Sequence, residues 1–80
     1  MNLFSNRYLT FQDVTPEGRK TRIVEVIAVS DGALLGRIKF FGRWRQFAFF
    51  PEPGTIFNPE CLVTITNNTT LLTVEWRAQR

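Results

Sequence analysis

The sequence predicts an α+β fold, in which a four-stranded antiparallel meander is followed by one C-terminal helix packed on one face of the sheet. Two observations predict it. Up to Phe50, segments rich in β-branched and aromatic residues alternate with short segments rich in Gly, Pro and Asp, which is the pattern of strands and turns. The strongest helix-start signal, Asn58-Pro59-Glu60, comes only after these segments.

Turn residues set the limits of the predicted strands. Residues 15–18 contain Pro and Gly in turn positions, and Asp31-Gly32 predicts a type I′ hairpin. Gly42-Arg43 can form a two-residue turn, and the prolines of residues 51–54 end the last strand because proline cannot donate to a ladder. We therefore predict strands at about residues 8–14, 19–30, 33–41 and 44–50, within a single domain spanning residues 1–80.

A helix is predicted at about residues 59–77. Asn58 supplies a capping side chain, Pro59 occupies the first helical position, and Glu60 places an acid in the first turn. The helix would carry a stripe able to cover the sheet, made of Leu62, Ile65, Thr69, Leu72 and Trp76. The alternative is a hairpin that turns at Asn67-Asn68, because this pair and five threonines are poor helix formers. The cap and the stripe favour the helix.

Composition argues against several classes of function. The chain has no histidine, and its one cysteine, Cys61, can neither form an internal disulfide nor build a zinc site alone. No residue pairing supports nucleophilic catalysis, so we expect a non-enzymatic protein without cofactor or metal. The N-terminus lacks an apolar signal region and no run of apolar residues could cross a membrane, so the sequence predicts a cytoplasmic protein without a membrane partner.

Positive charge is concentrated in two segments, although the net charge of +3 is modest. Residues 37–45 hold four cations and no acid, with Phe40, Phe41 and Trp44 between them. A second basic run, residues 19–22, opens the second predicted strand. This distribution is typical of proteins that bind negatively charged partners.

The predicted two-residue turn at Gly42-Arg43 would pair Phe41 with Trp44, Lys39 with Gln46 and Arg37 with Ala48 on one face. The opposite face would be the core, with Leu34, Ile38, Phe40, Phe47 and Phe49. Arg45 would then fall on the core side. Either it snorkels past Phe40 at the end of the sheet, or the turn is longer and the register shifts by one, which would move Phe47 and Phe49 to the other face.

Cations that follow phosphates, with exposed rings on which bases stack, are typical of proteins that bind single-stranded nucleic acid. The predicted binding residues are Arg37, Lys39, Phe41, Arg43, Trp44 and Arg45, together with Arg19, Lys20 and Arg22. The alternative is purely structural, because aromatic residues in strands are most often core and outward cations most often serve only solubility.

Two segments resemble a group of short uncharacterised proteins of tailed bacteriophages. They are residues 44–62, which read WRQFAFFPEPGTIFNPECL, and residues 9–21, which read LTFQDVTPEGRKT. The resemblance implies a phage or prophage product acting in the host cytoplasm, with a helix after Cys61-Leu62, and it implies no catalytic residues. The strand order and Asn58-Pro59-Glu60 are also similar to the single-strand-binding domain of the eukaryotic coactivator positive cofactor four.

Three functions follow from these observations. The leading prediction is a small phage protein that binds nucleic acid, and the exposed rings favour single-stranded regions. The second is a modulator or inhibitor of a host enzyme or defence system that uses the same surface, because Trp, Phe and Arg are also favoured at protein interfaces. The third is a minor structural component of the virion. The small size and the apolar helix are compatible with a homodimer.

Overall fold

The computed structural model describes residues 3–80. It contains β1 (Leu9–Asp13), β2 (Ile23–Ala28), β3 (Leu34–Phe41), β4 (Gln46–Pro51) and α1 (Pro59–Gln79). The four strands form one antiparallel sheet in the order β1-β2-β3-β4. The predicted α+β meander with one C-terminal helix is therefore confirmed, and the hairpin alternative for the last segment is wrong.

The helix forms despite its threonines because its capped start and its packing on the sheet outweigh their weak helix propensity, and three of their hydroxyls find partners within it. The side chains of Thr64, Thr69 and Thr73 each donate a hydrogen bond to the carbonyl four residues earlier. At the start of the helix, the Asn58 side chain accepts the N–H of Cys61 at 2.8 Å, as the predicted cap requires.

The turn between β3 and β4 has four residues, 42–45, so the predicted two-residue turn is wrong. The N–H of Trp44 donates to the carbonyl of Phe41, and that of Arg45 donates to Gly42. Arg45 takes a positive φ of 53°, which turns the chain into β4. Arg45 is therefore exposed in the turn and takes neither of its predicted positions.

The longer turn shifts the pairing of β3 and β4 by two residues. Phe41 lies opposite Gln46, Lys39 opposite Ala48, and Arg37 opposite Phe50. Because the shift is an even number, the paired residues of β3 and β4 stay on their predicted faces. We call the side of the sheet that carries these six residues the open face, since α1 packs on the other side. The predicted core position of Leu34 is wrong, because the β2–β3 register shifts between Val26 and Ile27. Leu34 therefore pairs with Ile27 on the side away from the core, and Leu35 packs against the core instead.

The β2–β3 hairpin also differs from the prediction. Gly32 has a positive φ of 75°, but Asp31 does not, so the turn is not type I′. The N–H of Gly32 donates to the carbonyl of Ala28, and the Asp31 carboxylate accepts the N–H of Ala33 at 3.0 Å. The loop is therefore longer than two residues, and β2 ends at Ala28.

The core lies between the sheet and α1. Its buried apolar side chains are Leu9, Val24, Val26, Ile38 and Phe47 from the sheet, with Cys61, Ile65 and Leu72 from the helix. Leu62 is 49% exposed, so its predicted place in the core stripe is wrong. The helix is rotated so that its buried face runs through Cys61 and Asn68.

Asn68 is buried completely and ties the N-terminal segment to the helix. Its side chain accepts the N–H of Phe4 at 2.7 Å and donates to the carbonyl of Phe4 at 2.9 Å. Two residues later, the Asn6 side chain donates to the Thr64 hydroxyl at 2.8 Å and accepts the N–H of Leu9. The Asn68 amide thus satisfies backbone groups that would otherwise lack partners.

Replacing Asn68 by Ala should lower the free energy of unfolding by about 1–3 kcal/mol, because both polar groups of the Phe4 backbone lose their partner. Urea denaturation followed by circular dichroism measures the change. Gln79→Ala is the control, since it removes an exposed amide from the same helix. Equal stability of the two variants would show that the Asn68–Phe4 pair does not hold the N-terminal segment.

Candidate nucleic-acid interface

The sheet topology brings both basic segments to one end of the protein. Ile23 at the start of β2 pairs with Lys39 near the end of β3, so the β1–β2 loop and the β3–β4 turn lie at the same end. The C-terminal part of α1 reaches this end too, since Trp76 packs on Phe40 with ring centroids 4.5 Å apart. We call this the basic end. It contains Arg19, Lys20, Arg22, Lys39, Arg43, Arg45, Arg77 and Arg80.

Charge is divided unequally between the two ends. The basic end holds eight of the ten cations but only three of the seven acids, Asp13, Glu17 and Glu75. Its formal charge is therefore +5, and the rest of the chain carries −2, which together give the net +3. Arg77 and Arg80 were not among the predicted binding residues. The helix length could have indicated them, because 21 residues extend about 31 Å and return the chain to the far end of the sheet.

Three rings form a continuous row on the open face, which we call the aromatic row. The ring centroids of Trp44 and Phe41 are 4.8 Å apart, and those of Phe41 and Phe50 are 6.1 Å apart, both in edge-to-face orientation. On β4, Ala48 lies between Gln46, the partner of Phe41, and Phe50. Its small side chain leaves room for the rings of Phe41 and Phe50 to meet. Trp44 is 62% exposed at the tip of the row. Phe50 was not among the predicted binding residues, because the shorter turn paired the strands differently.

Two of the predicted cations, Lys39 and Arg37, lie beside the aromatic row, but of these two only Arg37 is paired with acids in the described part of the chain. The Lys39 ammonium lies 4.7 Å from the centroid of the Phe50 ring, within cation–π range. The Arg37 guanidinium is 3.4 Å from the Glu25 carboxylate and 3.9 Å from that of Glu52. Arg37 therefore lies on the predicted face, but two acids already neutralise it.

Arg22 lies away from the aromatic row, beside the helix. Its guanidinium contacts Asp13 at 2.6 Å and Glu75 at 2.8 Å, and these bonds raise the pKa of Arg22 above its usual value. Arg19 and Lys20 line a cleft of about 210 Å³ between the β1–β2 loop and α1. The nine predicted residues thus form two groups at or near one end of the protein. One group lies on β3 and the β3–β4 turn, and the other, Arg19, Lys20 and Arg22, lies in the β1–β2 loop, where Arg22 is paired with two acids.

Residues 19–22 precede β2 instead of opening it. The N–H of Arg19 donates to the carbonyl of Pro16 at 3.2 Å, so the chain is still turning there. The side chain of Arg19 donates to the carbonyl of Thr21 at 3.0 Å. β2 begins only at Ile23, and the basic run forms a loop whose side chains are not constrained to alternate between faces.

Groups that could support other chemistry are scarce in residues 3–80. No cluster of three or more His, Cys, Asp or Glu side chains there could hold a metal ion. The Cys61 thiol is buried in the core. α1, the one helix of the described chain, is not both long and apolar enough to cross a membrane.

Comparison with known proteins gives one relative. Over 67 residues the chain is 36% identical to an uncharacterised 9.3 kDa protein of Acholeplasma phage L2, and the match covers 84% of this chain and 86% of the relative. The chain belongs to the family of this small phage protein. No family model matches, and no solved structure matches. The predicted likeness to short phage proteins is confirmed at this level, while the likenesses to tailed-phage proteins and to positive cofactor four stay predictions.

The ion pairs of Arg22 give a testable dependence of stability on pH. Burial raises the pKa of Asp13, but hydrogen bonds from Thr15 and Arg22 outweigh it and hold the pKa below its ordinary value of 3.8. A carboxylate with a depressed pKa stabilises the fold above its unfolded-state pKa, and this stabilisation is lost as the pH falls through the folded-state pKa. Asp13→Asn should therefore be less stable than the parent chain at pH 7, and the difference should shrink below about pH 4.

Urea denaturation of both chains between pH 3 and pH 7 measures this difference. Glu17→Gln is the matched control, because Glu17 lies in the adjacent loop and makes no ion pair with residues 3–80. It removes one negative charge from the same end of the protein. If both variants differ from the parent in the same way across the pH range, overall charge and not the Asp13–Arg22 pair is responsible.

Proposed function

We propose that this phage protein binds single-stranded nucleic acid without catalysing a reaction, in the host cytoplasm. The observation that carries the proposal is the aromatic row, whose exposed tip, Trp44, lies in the turn that carries Arg43 and Arg45. Bases would stack on the rings, and phosphates would follow the cations of the basic end. Each stacked base contributes about 1–3 kcal/mol in proteins of this kind.

The geometry of the row favours an extended single strand. Its successive centroid separations of 4.8 and 6.1 Å give room for about two or three bases, as on the sheets of RNA-recognition motifs. Lys39, beside Phe50, places a cation next to the ring where a second phosphate would pass. The row thus supplies stacking surface and charge along the same path.

Duplex nucleic acid fits this surface less well. Reading a duplex in the major groove requires a helix or a two-stranded ribbon that projects into it. α1 packs on the opposite side of the sheet, with Trp76 against Phe40, and so cannot enter a groove that faces the aromatic row. Stacked and paired bases in a duplex also do not present their faces to Trp44 and Phe41.

Removing one ring should weaken binding. We expect Trp44→Leu to raise the dissociation constant for a single-stranded oligonucleotide by about 5- to 150-fold, which corresponds to the loss of one stacked base. Fluorescence anisotropy of a labelled oligonucleotide measures the constant at low salt. Tyr8→Leu is the matched control, because Tyr8 is a 41% exposed ring before β1, at the other end of the sheet.

The same titration repeated at several salt concentrations tests the role of charge. Arg43→Gln combined with Arg45→Gln should reduce the log–log slope of affinity against salt by about 1.4, because each phosphate contact on a single strand contributes about 0.7. Arg7→Gln, at the far end of the protein, should leave the slope unchanged. Absence of binding by the parent chain at low salt would refute the proposed function.

A protein partner of the host is the second candidate for the same face. Beyond Arg37, which Glu25 and Glu52 neutralise, the open face continues through half-buried Ile27 and Leu34, which pair across β2 and β3. Apolar residues beside an aromatic anchor are typical of protein interfaces. Capture of one host protein after nuclease treatment, lost in Trp44→Leu and kept in Tyr8→Leu, would favour this candidate.

A further inference from the structure

The solvent-facing side of α1 has an unusual composition. No charged residue occurs in residues 61–74, although the outward side of a surface helix normally carries charged side chains. Val63 and Val74 are 59% and 58% exposed there. Valine and threonine are weaker helix formers than Lys or Glu, so helix propensity does not explain their presence. A face of this kind is typical of a helix that another helix covers.

Exposed residues on this side follow the spacing of a helix–helix contact. We define the outer stripe as Glu60, Val63, Asn67, Thr70, Val74 and Arg77, all of which are exposed. The intervals alternate between three and four residues, which is the repeat that keeps one side of a helix against a neighbouring helix. The stripe is about 26 Å long, at 1.5 Å per residue. The buried side of α1, through Ile65 and Leu72, is separate and faces the sheet.

The outer stripe is complementary to itself when reversed. If two copies lie antiparallel, Val63 of one meets Val74 of the other, and Asn67 meets Thr70. Glu60, which Arg7 contacts at 3.3 Å in the single chain, then also meets Arg77 of the other copy, and this happens at both ends of the contact. The charges that flank the stripe are therefore complementary. A parallel arrangement would instead place Glu60 against Glu60 and Arg77 against Arg77.

We propose that two copies of the chain associate through the outer stripes of α1, packed antiparallel. The side chains are small enough for the helices to approach closely, and shallow grooves flank the stripe on both sides. The grooves are bordered by Phe4 on one side and Leu62 on the other, which are 52% and 49% exposed. These two residues would be covered in the dimer. The antiparallel arrangement also keeps the two basic ends apart, which limits their mutual repulsion.

Solution mass tests the proposal on the full chain. Sedimentation equilibrium should give twice the 9.3 kDa of one chain. Val74→Glu should give a single-chain mass, because two added carboxylates would lie inside the contact. Val29→Glu is the matched control, since Val29 is 56% exposed in the β2–β3 turn, and it should remain dimeric. Circular dichroism checks that both variants keep their helix.

Two outcomes of that experiment would overturn the proposal. One is a single-chain mass for the parent at every concentration measured. The other is a dimeric Val74→Glu with an intact helix, which would mean that a different face associates. Neither outcome bears on oligonucleotide affinity, so failure of the dimer and failure of the proposed function are distinguishable.

Cross-linking tests the orientation. Under oxidation, Val63→Cys combined with Val74→Cys should form a covalent dimer, whereas Val63→Cys alone should not. The two positions are about 16 Å apart along one helix, so they cannot join within a chain. Cys61 is buried, and the parent chain is the uncrosslinked control. Efficient cross-linking of Val63→Cys alone would show a parallel contact and overturn the antiparallel arrangement, as would a double variant that stays uncrosslinked.

Discussion

Docking of α1 on one side of the sheet determines which surfaces of this protein remain free. Thr73 accepts the N–H of Phe47 at 3.0 Å, and Trp76 packs on Phe40, so the helix is fixed along β4 in one direction. That direction carries Arg77 and Arg80 to the end where the β1–β2 loop and the β3–β4 turn already lie. The opposite side of the sheet stays open, and the outer side of the helix faces solvent.

Local signals in the sequence were sufficient for the order of elements. The Asn58 cap located the start of α1 correctly, and strict alternation in β3 and β4 assigned Phe47 and Phe49 to the core side and Lys39 to the other. Both signals depend on residues close together in the chain. The fold class was therefore predictable, and so were the faces of the sheet apart from Leu34, where the β2–β3 register is irregular.

Two kinds of feature were not predictable: a backbone conformation that no residue type marks, and contacts between residues far apart in the chain. Arg45 has a positive φ although it is not a glycine, so the sequence did not indicate the length of the β3–β4 turn. The pairing of Phe50 with Arg37 depends on that length and could not be predicted either. The rotation of α1 that exposes Leu62 depends on Asn68 bonding to Phe4, which is 64 residues away. Arg22 pairs with Glu75 across a comparable separation, and charge patterning alone could not show that it is engaged.

The bond between Thr73 and Phe47 has a consequence for how the protein behaves when it is crowded. An unpaired outer strand is a template on which other chains add strands and grow into aggregates. On β4, whose sequence includes three phenylalanines, the Thr73 hydroxyl of the helix occupies the N–H of Phe47 that such a strand would use. On β1, the Asn6 side chain and backbone occupy both polar groups of Leu9, and the strand is only five residues long. Each outer strand is therefore covered at one point, which reduces the tendency of the sheet to pair with strands of other chains.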